Sequence, residues 1–407
     1  MCTFALNETI SYYTKNGSQT YALFLDASKA FDRLNYVKLF KKLMKKKMCP
    51  MAIRLLLNMY LNQKIMVKWD NKLSLPFSVT NGVRQGGVLS PLFFSIYIDD
   101  LLVRLKESGI GCHIGNYYLG AFGYADDLIL LCPTKEGLRK MIRICESYAS
   151  EHDILFNGSK SNLLVFGSVT DIRPIIKVND ILVPVCDIAV HLGNIISKNV
   201  SDVIEAGISK FNTSFNYFMA TYGKCQSSVE NKLFVQYCTS FYGSQIWPLY
   251  HKDGMRKVCV AWRKALRRIW NLPGNTHCDI LPLLSSQNPI DIQLKCRFVK
   301  FYKSLVVSEN NLIRYLSHAS TFTSYSTMSK YLNQILYDIN FELEELLHLS
   351  INNIKKIYYD NWIRSINKQY IIHSSVIHEL CLVKEGILVS ELEFDECDCI
   401  IQSLCTL

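Results

Sequence analysis

Two periods of apolar residues organise the first two hundred positions. Tyr21–Asp26 is a strand-type run that ends on a carboxylate, and alternation places Ala22, Phe24 and Asp26 on one face and Tyr21, Leu23 and Leu25 on the other. The chain then turns through Ala27–Asp32 into a helix reaching about Met48. Val37, Phe40 and Met44, with Leu39 and Leu43, form its apolar stripe, lysines fill its outer face, and Cys49-Pro50 stops it. A second amphipathic helix covers 51–61, and a strand pair over 64–69 and 75–80 turns around Asn71. Ser90 as N-cap and Pro91 as the first helical residue open a helix over about 91–107. A hairpin follows over 117–131. The next helix, 135–151, turns Leu138, Ile142, Cys145 and Tyr148 or Ala149 inward. A strand pair comes next, with Phe156–Lys160 preceding the apolar Leu163–Phe166, and short strands over 175–196 close at His191–Ile196. The order β-α-β-β-α-β suits an α+β fold, a ferredoxin-like antiparallel sheet with helices on one face. Beyond 201 helical patterns dominate, broken at Pro248, Pro273-Gly274, Pro282 and Pro289.

Charge and cysteine content narrow the class. With 407 residues the chain supports two or three domains, and 45 Lys and Arg against 35 Asp and Glu leave a formal charge of +10. The excess is clustered at Lys38, Lys41, Lys42, Lys45, Lys46 and Lys47, and again at Arg256, Lys257, Arg263, Lys264, Arg267 and Arg268. Such patches suit a phosphate backbone, and are also common as plain solvated helix faces. The fifteen cysteines are scattered and odd in number. No Cys-x-x-Cys pair occurs, and Cys397-Asp398-Cys399 lacks partners at zinc-site spacing, so reduced cysteines in an intracellular protein are expected. No signal peptide is visible and no apolar run is long enough to span a membrane, so no membrane partner is expected.

Asp126 and Asp127 interrupt the apolar run Phe122–Leu131. An Asp pair is often a solvated turn. In mid-hairpin, however, buried unpaired charge costs several kcal/mol, so a cation that offsets it is the expectation. If the Tyr21–Asp26 strand neighbours this hairpin, Asp26 and Asp126 meet over the sheet. Carboxylates are hard oxygen donors suited to Mg²⁺. Between them in sequence, Asn81–Pro91 carries Gly86-Gly87, which lets the backbone approach a ligand closely. Asp99-Asp100 sits among helically spaced Ile96, Leu101, Leu102 and Leu105 and reads as a solvated helix face without chemistry.

The residues FLDASKAFD, NGVRQGGVLSPLFF, FGYADD, FNGSKSNLLVF and HLGNIIS resemble, in that order, motifs A to E of the reverse transcriptases of non-LTR (LINE-type) retrotransposons. The resemblance covers about 15–200 and continues more weakly to 305. It implies a right-hand polymerase palm over 1–200, a helical thumb over 201–305 and a helical C-terminal region of unknown function over 306–407. The implied activity is an RNA-directed DNA polymerase using two Mg²⁺ ions, with an RNA template, a DNA primer and dNTPs as partners. By resemblance Asp26, Asp126 and Asp127 hold the metals, Phe31 rejects a ribose 2′-hydroxyl, Gln85 contacts nucleotide and template, and Lys160 protonates the leaving pyrophosphate. Asp32 reads as a structural carboxylate near a helix start. Arg263/Arg267 and Lys264/Arg268, beside Val260, Ala261, Leu266 and Ile269, form a basic stripe for the duplex.

One departure stands out. In this family a fingers region, and usually an endonuclease, precedes motif A, which here begins about twenty residues in. The expectation is a chain from a 5′-truncated element, nuclear or cytoplasmic by family. The alternative is a catalytically silent nucleic-acid-binding remnant that keeps the fold.

Overall fold

A computed structural model describes residues 1–167, 174–324 and 326–370. The chain divides into two compact units, Met1–Leu192 with Ile196–Lys198, and Gly193–Ile195 with Asn199–Leu407.

In the first unit helix α1 (Cys2–Lys15) precedes strand β1 (Thr20–Ala27), the short helix α2 (Ala30–Arg33), α3 (Tyr36–Lys45) and α4 (Pro50–Leu61). Four two-residue strands follow, β2 (Lys64–Ile65), β3 (Lys68–Trp69), β4 (Lys72–Leu73) and β5 (Phe77–Ser78), and then α5 (Ser90–Glu107). A small hairpin, β6 (His113–Ile114) and β7 (Tyr117–Tyr118), leads to β8 (Ala121–Tyr124), β9 (Asp127–Cys132), α6 (Lys135–His152) and β10 (Phe156–Phe166). Two further hairpins are β11 (Lys177–Val178) with β12 (Ile181–Leu182), and β13 (Ile188–His191) with β14 (Asn194–Ser197).

The central sheet has the order β10-β1-β9-β8 with every neighbouring pair antiparallel, the topology of a ferredoxin-like βαββαβ unit. Its two faces follow the alternation along β1. Tyr21, Leu23 and Leu25, with Leu128, Leu130, Leu163 and Val165, join Phe93, Tyr97 and Leu101 of α5 and Leu138, Ile142 and Tyr148 of α6 in one core. Helices do not occupy that face alone. Helix α1, which no sequence pattern singled out, packs against β1 and β8, and its buried Phe4 and Leu6 stand outside the core beneath α5 and α6.

Local differences from the sequence reading have identifiable causes. The helix expected to run from the Ala27–Asp32 turn to about Met48 is broken at Leu34, which is extended so that its carbonyl accepts the Gly82 N–H at 2.8 Å. Asn35 then caps α3 by accepting from the Lys38 N–H. The buried face of α3 is Tyr36, Leu39, Phe40 and Leu43, an i, i+3, i+4, i+7 set, and leaves Val37 and Met44 exposed. Lys42 is not on the outer face. Its buried ammonium donates to Asp100 and, at 2.9 Å, to the Tyr148 hydroxyl, while Lys46 donates to Asp99. Asp99 and Asp100 thus anchor α5 to α3. Burial works upward on the Asp100 carboxyl, but the Lys42 hydrogen bond and charge outweigh it and hold it below the usual range. Ser90 is the first helical residue of α5, with Leu89 at the cap position, because the Ser90 hydroxyl turns back to the Arg84 carbonyl. The strand pair expected over 156–166 is one strand with a wide bulge.

The second unit is helical: α7 (Val200–Tyr222), α8 (Ser227–Tyr237), α9 (Lys252–Ile269), α10 (Ile280–Leu284), α11 (Ile290–Val306), α12 (Asn311–Thr321), α13 (Thr327–Ile339), α14 (Leu343–His348) and α15 (Ile351–Tyr370). Phe211, Phe215 and Phe218 of α7 cluster around Phe234 of α8. Trp247 fills the space over Gly207, where a Cβ would stand 2.1 Å from the indole. Every described cysteine is a free thiol, and Cys397 and Cys399 lie outside the described residues, as does the rest of the acidic end. Among the described residues no helix is long and apolar enough to cross a membrane.

Candidate active site

The carboxylates converge through strand register. Asp26 pairs directly opposite Asp127 across the β1–β9 ladder, and directly opposed residues share a face. That face is the one of Ala22 and Phe24, away from α5 and α6. Tyr124 pairs with Asp127 at the end of the β8–β9 hairpin, leaving Ala125 and Asp126 as a two-residue turn. Ala125 takes φ +51°, the left-handed conformation such turns demand, at a cost of about 1–2 kcal/mol for a residue with a side chain. The strain holds Asp126 next to Asp127 at the sheet end where Asp26 also lies.

Three negative charges therefore share one sheet end. Among the described residues none of them forms an ion pair with Lys or Arg. The Asp127 residue is open to solvent, yet its carboxyl is pushed above the usual range, first by partial desolvation and then by repulsion from Asp126 and Asp26. No group of three or more His, Cys, Asp or Glu among the described residues is gathered tightly enough to hold an ion by protein ligands alone. The set fits Mg²⁺, which takes one or two carboxylates and completes its shell with phosphate oxygens and water.

The bulge in β10 supports Asp26 from the other side. Phe24 pairs with Asn162 and Asp26 with Asn157, so Gly158, Ser159, Lys160 and Ser161 arch out opposite Leu25 alone. The Asn157 side chain accepts from the N–H groups of Ser159 and Lys160 and from the Ser159 hydroxyl, folding the arch on itself. The Ser161 hydroxyl accepts the Asp26 N–H at 3.1 Å and donates to the Asn157 carbonyl at 2.7 Å. Lys160 is exposed on this arch, beside the Asp26 end of β1.

Phe31 is half-buried with its ring 5.5 Å from Phe94. Its carbonyl accepts the Val83 N–H at 2.7 Å, tying α2 to the loop that carries Gln85. Gly82 makes this contact sterically possible: at φ +87°, a Cβ would lie 2.8 Å from the Asp32 oxygen and 2.9 Å from that of Phe31. Sequence reasoning attended to Gly86-Gly87 and missed Gly82, although Asn-Gly is a turn signal. Gln85 is exposed in a turn closed by the Gly87 N–H donating to the Arg84 carbonyl. His191 was also missed as an individual residue. It is 2% exposed, its ring lies 6.4 Å from Phe24, its Nδ1 lies 3.5 Å from the Thr3 hydroxyl, and among the described residues its Nε2 has no hydrogen-bond partner.

In the second unit the four basic residues of α9 do not form one stripe. The Arg267 guanidinium turns inward to donate to the Thr276 carbonyl at 2.7 Å and to Cys278 Sγ. Arg268 lies over the Phe215 ring and donates to Asn216. Lys264 is exposed and lines an open groove of about 1020 Å³ with Asn212, Asn216, Asp253, Arg256 and Lys257. The buried face of α9 is Val258, Trp262, Ala265, Leu266 and Ile269, whereas Val260 is exposed.

A family model described as reverse transcriptase (RNA-dependent DNA polymerase) matches residues 2–210. The chain belongs to this family. Its relatives include polymerases of non-LTR retrotransposons. It is 34% identical over 145 residues to the Retrovirus-related Pol polyprotein of element R2 of Nasonia vitripennis, a match covering 35% of this chain and 14% of that protein. It is 22% identical over 323 residues to the RNA-directed DNA polymerase of mobile element jockey of Drosophila melanogaster, covering 75% of this chain and 34% of that one. The reverse transcriptase chain thus spans about a third or less of the length of these relatives. A telomerase structure from Candida tropicalis aligns over 77% of this chain and 51% of its own with a TM-score of 0.39 at 12% identity.

Proposed function

We propose that this reverse transcriptase chain adds dNTPs to a DNA primer on an RNA template, with Asp26, Asp126 and Asp127 holding two Mg²⁺ ions. The observation that carries the reading is the opposed Asp26–Asp127 pair with Asp126 beside it, three carboxylates with no Lys or Arg ion pair among the described residues. When bound, the ions supply activation of the primer 3′-hydroxyl and neutralise charge on the pyrophosphate. The chain's own residues do the positioning. The Ser161–Asn157 arch fixes the Asp26 backbone, the Asp26 carboxylate accepts from the Ser28 hydroxyl at 3.4 Å, and the strained turn at Ala125 fixes where Asp126 leaves the hairpin, so the chain sets the backbone positions from which both present charge. Phe31, fixed against Phe94 and the Gly82–Val83 backbone, excludes a 2′-hydroxyl by bulk. Gln85, on the same loop, contacts the incoming nucleotide and template. Lys160 on the arch delivers a proton to the pyrophosphate. Residues 1–200 then act as palm and 201–305 as thumb, where Lys264, Arg263 and Arg268 meet the duplex and Arg267 holds its own loop.

The test is Mg²⁺-dependent primer extension on RNA. Asp126→Asn is expected to lower it at least about a hundredfold, as does removal of one charge-stabilising group elsewhere, with melting and duplex binding unchanged. Extension that survives this substitution contradicts the metal-ligand role. Duplex binding without extension by either protein identifies the silent remnant instead.

A further inference from the structure

In the first unit β2 to β5 form an exposed arm. β2 pairs only with β5 and β3 only with β4, and every residue from Lys64 to Ser78 is exposed. Trp69 is 81% exposed and Leu75 88%, while Ile65, Met66, Val67, Leu73 and Phe77 are also open. A concentration of this kind marks an interaction surface.

Its charge selects the partner. Lys64, Lys68 and Lys72 stand along the arm, and among the described residues none of them forms an ion pair. Asp70, at the turn, is the arm's single carboxylate. Lys72 lies directly across from Trp69 and shares its face, while Lys68, next to Trp69 in the strand, stands on the opposite face, so the arm carries cations on both faces with one beside the exposed indole. Lysines on strand edges discourage pairing with a second copy, whose identical arm would bring like charges together. Aromatic faces interleaved with cations are the combination that holds unpaired nucleotides, with bases stacking on rings and phosphates meeting ammonium groups.

We propose that the arm Lys64–Ser78 binds single-stranded RNA, Trp69 stacking on an unpaired base and Lys64, Lys68 and Lys72 contacting phosphates. This rests on the polymerase reading only in naming the strand as template; the contact itself needs no chemistry. The test measures fluorescence anisotropy of a short, unstructured, labelled RNA with the full chain over a salt series. Trp69→Ala is expected to weaken single-strand binding about fivefold or more, Trp69→Phe to restore most of it, and neither to change melting. Converting all three lysines to Gln should lower the slope of log affinity against log salt by about 2, at about 0.7 per single-strand contact. Asp126→Asn should bind this RNA like the parent, so loss of extension alone leaves the arm's role standing. Unchanged affinity and slope in the Trp69 and lysine variants overturns the proposal. So does a Trp69→Ala effect confined to self-association in sedimentation, which assigns the arm to a protein partner.

Discussion

Single residues divide by whether their chemistry shows in their own side chain. Asp26, Asp126 and Asp127 were legible as candidates because charge at the end or in the middle of an apolar run costs too much to be idle, and the register brings them to one sheet end. Gly82 was not, because its role is to lack a side chain where the Asp32 and Phe31 carbonyls pass. His191 was not either, since burial is a property of what packs around it. Its imidazole is held neutral, its pKa drawn down to about 4, chiefly by burial. In the unfolded chain a histidine titrates near 6.5. Between those values the unfolded state binds the extra proton, so stability is full above about pH 6.5 and falls as pH drops toward 4, by about 3 kcal/mol over the whole span. Urea melts of the parent and His191→Leu between pH 7 and 4.5 should show a shallower loss in the variant. Equal slopes would mean the acid response arises elsewhere.

Elements were readable where one periodicity ruled them. β1 and α6 have the inward faces that alternation and helical spacing assign. The readings failed where a second contact overrode local pattern. Leu34 gives up helix to accept the Gly82 N–H, and β10 runs on through a bulge that its Asn157 and Ser161 stabilise internally. On α9 the i,i+4 spacing of Arg263/Arg267 suggested a stripe, but spacing does not reveal the loop at 273–278 that captures Arg267. Two substitutions on this helix should therefore part company. Lys264→Gln should lower the salt slope of RNA–DNA duplex binding by about 0.9 and leave stability alone. Arg267→Gln should cost about 1–2 kcal/mol of stability, the worth of its hydrogen bonds, and leave the slope unchanged. Urea melts and duplex titrations on both proteins measure this directly, and the reverse pattern would restore Arg267 to the stripe.

At the scale of the whole molecule, the four-stranded order β10-β1-β9-β8 is what brings together carboxylates a hundred residues apart in sequence. The βαββαβ pattern implied that order, whereas the helix α1 on the second sheet face and the internal packing of the helical unit had no comparable signal. As proposed, this sheet end holds cations for nucleotidyl transfer. Paramagnetic resonance counts free Mn²⁺ against the chain, a dideoxy-terminated primer on RNA and a matched dNTP, with the nucleotide's own Mn²⁺ subtracted. The parent should take up two ions per complex, and Asp26→Asn or Asp126→Asn should weaken that uptake at least about tenfold, since site affinity follows ligand charge. Uptake unchanged by both substitutions would contradict the assignment of these carboxylates.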